Sequence, residues 1–323
     1  MKPLKRVFIA ILVLVALSIP SIETGLAKSK KKKAAPKGTP VMWRKPDDIS
    51  SRDLFLGPGG TEMRPDLDRI TFLKEEKGGY SKKYRVRDGA GHEWVVKIGK
   101  EAQSETAAIR LLYGVGYLTE VNYLVPRVTI PGKGSFTNAR FEARPEEWKR
   151  SGEWKWKQNP FTSQPEYRGL KVMMALINNW DLKDSNNVMI QVPTDRGNEV
   201  RYVISDLGAT FGHASTTPFF WRITRSRNNP TNYAKSNFLE KVKGNRVKLH
   251  FGGKNRGLMD NITVDDALWL GSLLAELSDQ QLKDAFRAAN YRPDQVDVLT
   301  RVVRARTNEL LSLRPNVQIG SNE

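Results

Sequence analysis

Cysteine is absent from the 323 residues, which excludes thiol catalysis, disulfides and Cys-ligated zinc. Histidine occurs three times, at His92, His213 and His250, too scattered to suggest a His-built metal site. Acidic residues are outnumbered, 35 against 53 Lys and Arg, and the formal charge of +18 favours anionic partners. No internal repeat is evident. Beyond the charge there is no signature of a nucleic-acid module, so no specific nucleic acid is expected as a partner. The chemistry left open is that of carboxylates, amides, lysines and hydroxyls.

A long apolar run occurs at the N-terminus, where "VFIAILVLVALSI" follows Lys2, Lys5 and Arg6 and precedes the small residues "GLA" before Lys28. A cationic flank, an apolar stretch and a small-residue cut site predict a signal peptide over 1–27, hence an exported chain, periplasmic or secreted. The run is short for a membrane span. Because "KSKKKK" directly after the proposed cut opposes translocation, an uncleaved N-terminal membrane anchor is the competing expectation. Residues 28–50 carry lysine, proline and little apolar content, the composition of a basic disordered linker. The Lys28 to Lys37 cluster within it suits an anionic membrane surface or polymer.

From Ile70 to Ile98, "ITFLKEE", "KYRVRD" and "EWVVKI" read as an antiparallel meander with turns at Gly78–Gly79 and Gly89 to Gly91. "SETAAIRLLYGVGY" then sets Ile109, Leu112 and Tyr113 at helical spacing, with Ser104 as N-cap. Two more strand patterns follow in "TEVNYLVPRVTI" and "NARFEA". After Glu166 the chain turns helical in "PEYRGLKVMMALINNW", "TVDDALWLGSLLAEL", "SDQQLKDAFRAAN" and "DQVDVLTRVVRARTNELLSL", interrupted by a hairpin of "NVMIQVP" and "EVRYVISDLG". The expected fold class is α+β, with an N-lobe over 51–143, an insert over 144–165, a C-lobe over 166–317 and a tail over 318–323. The tryptophans of the insert are expected to pack rather than to cage a ligand.

Between helix and hairpin lies "NNWDLKDSNNVMI", residues 178–190. Such Asp/Asn-rich segments are ordinarily turns, because their side chains bond to nearby backbone. Here the loop stands in a particular order: a lysine in "WVVKIG", a glutamate in "SETAAIRLL", the loop "WDLKDSNN", then "ISDLG". Those four motifs together resemble the protein-kinase-like superfamily, in its HipA-like and secreted-kinase-like branches, over about Ile70 to Gly212. The resemblance implies a two-lobed kinase-like fold with a small antiparallel-sheet N-lobe carrying one helix and a mainly helical C-lobe.

It also implies transfer of phosphate from ATP, with Mg2+, to an unidentified hydroxyl acceptor. That reaction needs a cation on the phosphates, oxygen ligands for magnesium and an aspartate near the acceptor. By the resemblance, Lys97 holds the phosphates and Glu105 holds Lys97, with Glu101 as the alternative partner. Asp181 faces the acceptor, Lys183 steadies the transferring phosphate, and Asn186 and Asp206 hold the metal. Asn187 is the alternative to Asn186, and Asp184 is either a turn residue or a second acid. The glycine-rich phosphate loop of the family is missing, so Gly79 and Ser81, with Lys82 or Lys83, would cover the phosphates. Asn179 and Trp180 replace the usual His and Arg, so control by a phosphorylated activation loop is not expected. The residues add support of their own: Lys97 shares strand parity with Val95 inside an apolar run and needs a partner there, and Glu105 shares a helix face with Ile109 and Leu112. The competing function is a non-catalytic domain of this fold that binds a nucleotide, anionic lipid or polyanion.

Overall fold

A computed structural model describes residues 36–78, 81–216 and 223–314; the leader 1–27, Lys28 to Ala35, Gly79 and the tail 318–323 lie outside the described residues. Regular structure occurs inside the stretch expected to be linker. Strand β1, Thr39–Val41, pairs in parallel with Gly197–Ile204, and Met42 and Ile49 are buried in the main core. A few apolar side chains in a charged stretch are enough to anchor it, so the boundary at residue 50 is too late.

Alternation after Ile70 produces the meander. β2 (Thr71–Glu76), β3 (Lys82–Arg87), β4 (Glu93–Ile98), β5 (Asn122–Ile130) and β6 (Gly134–Ala143) form one antiparallel sheet in the order β2-β3-β4-β6-β5. Tyr84, Val86, Trp94, Val96 and Phe141 bury one face in a core of their own. By parity the opposite face carries Val95, Lys97, Arg140 and Glu142.

Helix α1, Glu101–Gly114, starts before the expected cap. Gly99, at φ 115°, turns the chain straight from β4 into the helix, which leaves Ser104 inside it. The Ser104 hydroxyl donates instead to the Gly208 carbonyl at 2.9 Å, tying α1 to "DLG". Gly208 must be glycine for the same reason: a Cβ there would stand 2.7 Å from Cβ of Glu101.

The rest of the chain is mainly helical: α2 (Pro165–Leu176), the short α3 (Pro230–Ala234), α4 (Val264–Ala275), α5 (Asp279–Arg287) and α6 (Pro293–Leu311). Capping boxes at Thr263 with Asp266 and at Ser278 with Gln281 fix where α4 and α5 begin. Leu176, Leu270, Leu274, Phe286, Leu299 and Val303 join the helices in one core.

The insert is not separate from this body. Its strand β7 (Lys149–Gly152) pairs with β8 (Asn187–Thr194), and with β9 (Gly197–Ile204) they make a sheet in the order β1-β9-β8-β7. Trp154 and Trp156 are buried, and the Trp154 indole N–H donates to the Val203 carbonyl at 2.8 Å. Two further hairpins, β10 (His213–Thr216) with β11 (Ile223–Ser226) and β12 (Leu239–Lys243) with β13 (Arg246–Leu249), complete the chain.

Candidate functional site

Lys83, Lys97 and Arg140 stand directly opposite one another on β3, β4 and β6. A row of like charges across a sheet is unfavourable unless acids lie over it. Helix α1 supplies them. Glu105 places Oε2 2.8 Å from Lys97 Nζ and Oε1 3.0 Å from an Arg140 guanidinium nitrogen, all three side chains being buried. Glu101 is a second partner rather than a substitute: its Oε2 lies 3.0 Å from Lys97 Nζ and accepts the Ser81 hydroxyl at 2.6 Å, while Oε1 meets Arg227. Ser81 therefore reaches the cluster through Glu101.

Asp206 closes the cluster from the other side, with Oδ1 3.3 Å from Lys97 Nζ and accepting the Gly208 N–H at 3.2 Å. Burial works against its charge, but Lys97 and that N–H outweigh it and hold the carboxyl below its ordinary range. Glu105 goes the other way: burial pushes its carboxyl up against the pull of Arg140 and Lys97.

The acidic loop makes a second cluster. Asp181 holds Lys183 through Oδ2 at 2.8 Å and Lys254 through Oδ1 at 2.7 Å. Burial opposes its charge, yet the two lysines keep its carboxyl below the usual range, and Asp181 in turn raises Lys183. The Asn186 side-chain amide donates to the Asp181 backbone carbonyl at 2.6 Å, while the Asn186 backbone carbonyl accepts the N–H groups of Ser205 and Asp206 at 2.8 and 3.2 Å. That backbone tie joins the two clusters. Asn187 turns away and donates to the Trp154 carbonyl at 3.1 Å, and Asp184 accepts the Trp156 N–H at 3.0 Å.

The fold thus gathers Lys97, Glu105, Glu101, Ser81 and Asp206 in one group and Asp181, Lys183 and Asn186 in the adjoining one. Arg140 and Lys254 were not anticipated. Arg140 looks like any arginine of an alternating strand until β6 is laid against β4, and Lys254 sits in the glycine-rich "FGGKNRG" with no local signal.

Beyond Arg140 the chain of charges continues towards the partly exposed Arg144 and Arg150. Arg140 also bonds Glu142 at 2.7 Å; Glu142 meets Arg144 as well, and Glu120 meets Arg150 and accepts the Ser205 hydroxyl at 2.9 Å. Burial and the nearby Glu142 charge raise the Glu120 carboxyl from 4.5 to about 7. Glu142, despite burial, is held below its ordinary range by Arg144, Arg140 and Arg150. Because Glu120 titrates higher folded than unfolded, the folded state keeps a proton that the unfolded chain loses above about 4.5. Its contribution to stability is present below that pH and falls as the pH rises towards 7. Glu120→Gln should therefore raise the melting temperature at pH 8 and change it little at pH 5; an equal effect at both would refute the assignment.

No protein-family model matches the chain, and neither does any curated protein. Among solved structures, the Helicobacter pylori proinflammatory kinase CtkA is similar over 76% of this chain and 99% of that one, with 9% identity and a TM-score of 0.39. The Rio2 kinase from Chaetomium thermophilum, solved as an ADP/Mg2+-phosphoaspartate complex, is similar over 75% of this chain and 73% of that one, with 12% identity and a TM-score of 0.33. At such distance neither likeness decides what this protein does, which must be argued from the side chains.

Proposed function

We propose that the protein is a Mg-ATP-dependent phosphotransferase of kinase-like fold acting on a hydroxyl acceptor outside the cytoplasm. One observation carries the reading: Lys97 Nζ lies 2.8 Å from Glu105 and 3.3 Å from Asp206, and Asp206 is tied through the Asn186 backbone to the Asp181–Lys183 loop. A paired lysine, a carboxylate for the metal and an aspartate for the acceptor, as such a transfer needs, would then be supplied by two adjoining clusters.

In this mechanism Lys97 neutralises phosphate oxygens of ATP, held in place by Glu105, with Ser81 and Lys83 on the side from which a cover must come. Asp206 and Asn186 would hold magnesium. Among the described residues no hydrogen-bond donor meets Asn186 Oδ1, and two hard oxygen donors suit an ion that takes its other ligands from phosphate and water. Bound there, Mg2+ supplies charge neutralisation at the phosphates. Asp181 orients the acceptor hydroxyl and takes its proton, and Lys183 follows the transferring group. The Asn187 amide donates into the protein at Trp154, which favours Asn186 as the metal ligand.

The second reading, nucleotide binding without turnover, is favoured by Lys254. A carboxylate with both oxygens on lysines is a weak proton acceptor, so turnover requires the acceptor to displace one of them from Asp181.

Wild-type protein tests the choice, with thermal shift in Mg-ATP beside a phosphate-release or autophosphorylation assay. Asp181→Asn should keep the Mg-ATP shift and lose about 10²–10⁴ in transfer. A shift without turnover on any acceptor supports the binding reading, and no shift at all rejects both. The export half rests on the leader alone: the mature chain should begin near Lys28, which N-terminal sequencing reads, and an intact Met1 would support the anchor.

A further inference from the structure

Beside the Asp181 loop, the hairpin β12–β13 and the segment after it enclose a recess of about 550 Å³. Lys241, Lys243, Arg246, Lys248 and Arg256 line it, against Glu240 and Asp260 as the lining acids. Glu240 is already taken, by Lys248 at 2.6 Å and His250 at 3.4 Å. Lys241, Lys243, Arg246 and Arg256 have no carboxylate partner among the described residues. Val247 and Phe251 also line it, both nearly buried. It adjoins the Asp181 loop through the chain itself: Gly252 and Arg256 line it, and Lys254 between them reaches Asp181 at 2.7 Å.

We propose that this recess docks an acidic polypeptide segment of the acceptor. The ligand class follows from the recess; its purpose rests on the transferase reading above. Four cations without carboxylate partners attract a chain that carries carboxylates, and the attraction is strongest where solvent is limited. A flat bilayer surface does not reach into a recess of this volume. Among the described residues β12 pairs with β13 alone, so its outer main chain can hydrogen-bond an extended segment. Lysines on an edge strand also deter self-association. That role accounts for Lys241 and Lys243 but not for Arg246 and Arg256, which lie off the edge.

The probe is a short fluorescein-labelled peptide of alternating Glu and Ser, read by anisotropy on the full chain and on a Lys241→Glu, Arg256→Glu double variant. Both side chains are exposed, so the variant should fold as the wild type does. Both proteins keep Lys28 to Lys37, so the difference between them reports the recess. The expected result is salt-sensitive binding that weakens about tenfold or more in the variant, with the Mg-ATP thermal shift unchanged. Equal peptide affinity in the two proteins overturns the proposal. So does a variant that loses binding to phosphatidylserine vesicles while keeping the peptide, which would make the recess a membrane contact. Recess-dependent peptide binding without any Mg-ATP shift would remove the transferase reading and leave the docking site standing. A normal Mg-ATP shift with no difference in peptide binding would do the reverse.

Discussion

Asp206→Asn should abolish both phosphate transfer and the Mg-dependent stabilisation by ATP, in a protein that still folds. The fold should survive because Asp206 is the outermost of the acids around Lys97: its side chain is 43% exposed, and Lys97 keeps Glu105 at 2.8 Å and Glu101 at 3.0 Å without it. An asparagine oxygen can still accept the Gly208 N–H that Asp206 accepts now. What asparagine cannot replace is the negative charge facing a divalent ion and a polyphosphate, so the metal-nucleotide complex loses its principal protein ligand. With ATP near 100 times its Kd, wild type gains about 2.7 kcal/mol from binding. For a domain of this size that is a rise of several degrees in melting temperature. The variant should show the melting temperature of wild type without ATP and no added shift with it. A full Mg-dependent shift in Asp206→Asn would move the metal elsewhere and remove the central element of the proposed site. The contrast with Asp181→Asn is the point of comparison, since that residue faces the acceptor and its loss should spare the shift.

Part of this arrangement is legible in the sequence alone. The meander is legible in the alternation of Tyr84 and Val86 and in the apolar run Trp94 to Val96, punctuated by glycines. Lys97 announced itself by being a charge in an apolar run. What stayed hidden depended on contacts between segments far apart in the chain. The start of α1 differs from the expected cap because Ser104 has the chemistry of a cap, whereas its hydroxyl is used across the interface to Gly208, 104 positions later. The stretch up to residue 50 has the composition of a linker yet carries a strand and core side chains, because composition averages over a stretch in which a few side chains, Met42 and Ile49 among them, do the anchoring. The hairpin β12–β13 did carry a local signal, "KGNR" between Val242 and Val247, masked by the density of lysine and arginine around it. Arg140 and Lys254 had none, because each acquires its role from a partner brought in by the fold.

Arg140→Met should cause the largest loss of stability of any single change around the site. Arg140 is 2% exposed, and its guanidinium bridges Glu105 at 3.0 Å and Glu142 at 2.7 Å. Removing one member of a buried ion network leaves charges behind that burial has already stripped of water, at a cost of about 3–5 kcal/mol. Here two carboxylates are affected. Glu105, already pushed up by burial, would lose the first of the cations that oppose that push, and Glu142 would lose one of the three guanidinium groups that hold it ionised. Lysine should not rescue, because a single ammonium group on a flexible stem cannot span both acids as the planar fork does. Lys97→Met should cost less: Glu105 keeps Arg140 and Glu101 keeps Arg227, and Asp206, which loses its ion pair, has a side chain 43% exposed and so keeps water. Urea unfolding at pH 7 measures the difference, Arg140→Met shifting the midpoint well below that of Lys97→Met. The neutralised double variant Arg140→Met, Glu142→Gln should recover part of the loss, since it removes one of the stranded charges. If Arg140→Met costs less than about 1 kcal/mol, or if Lys97→Met costs more, the network is not what holds α1 and the sheet around the lysine, and Glu105 must be positioned by packing alone.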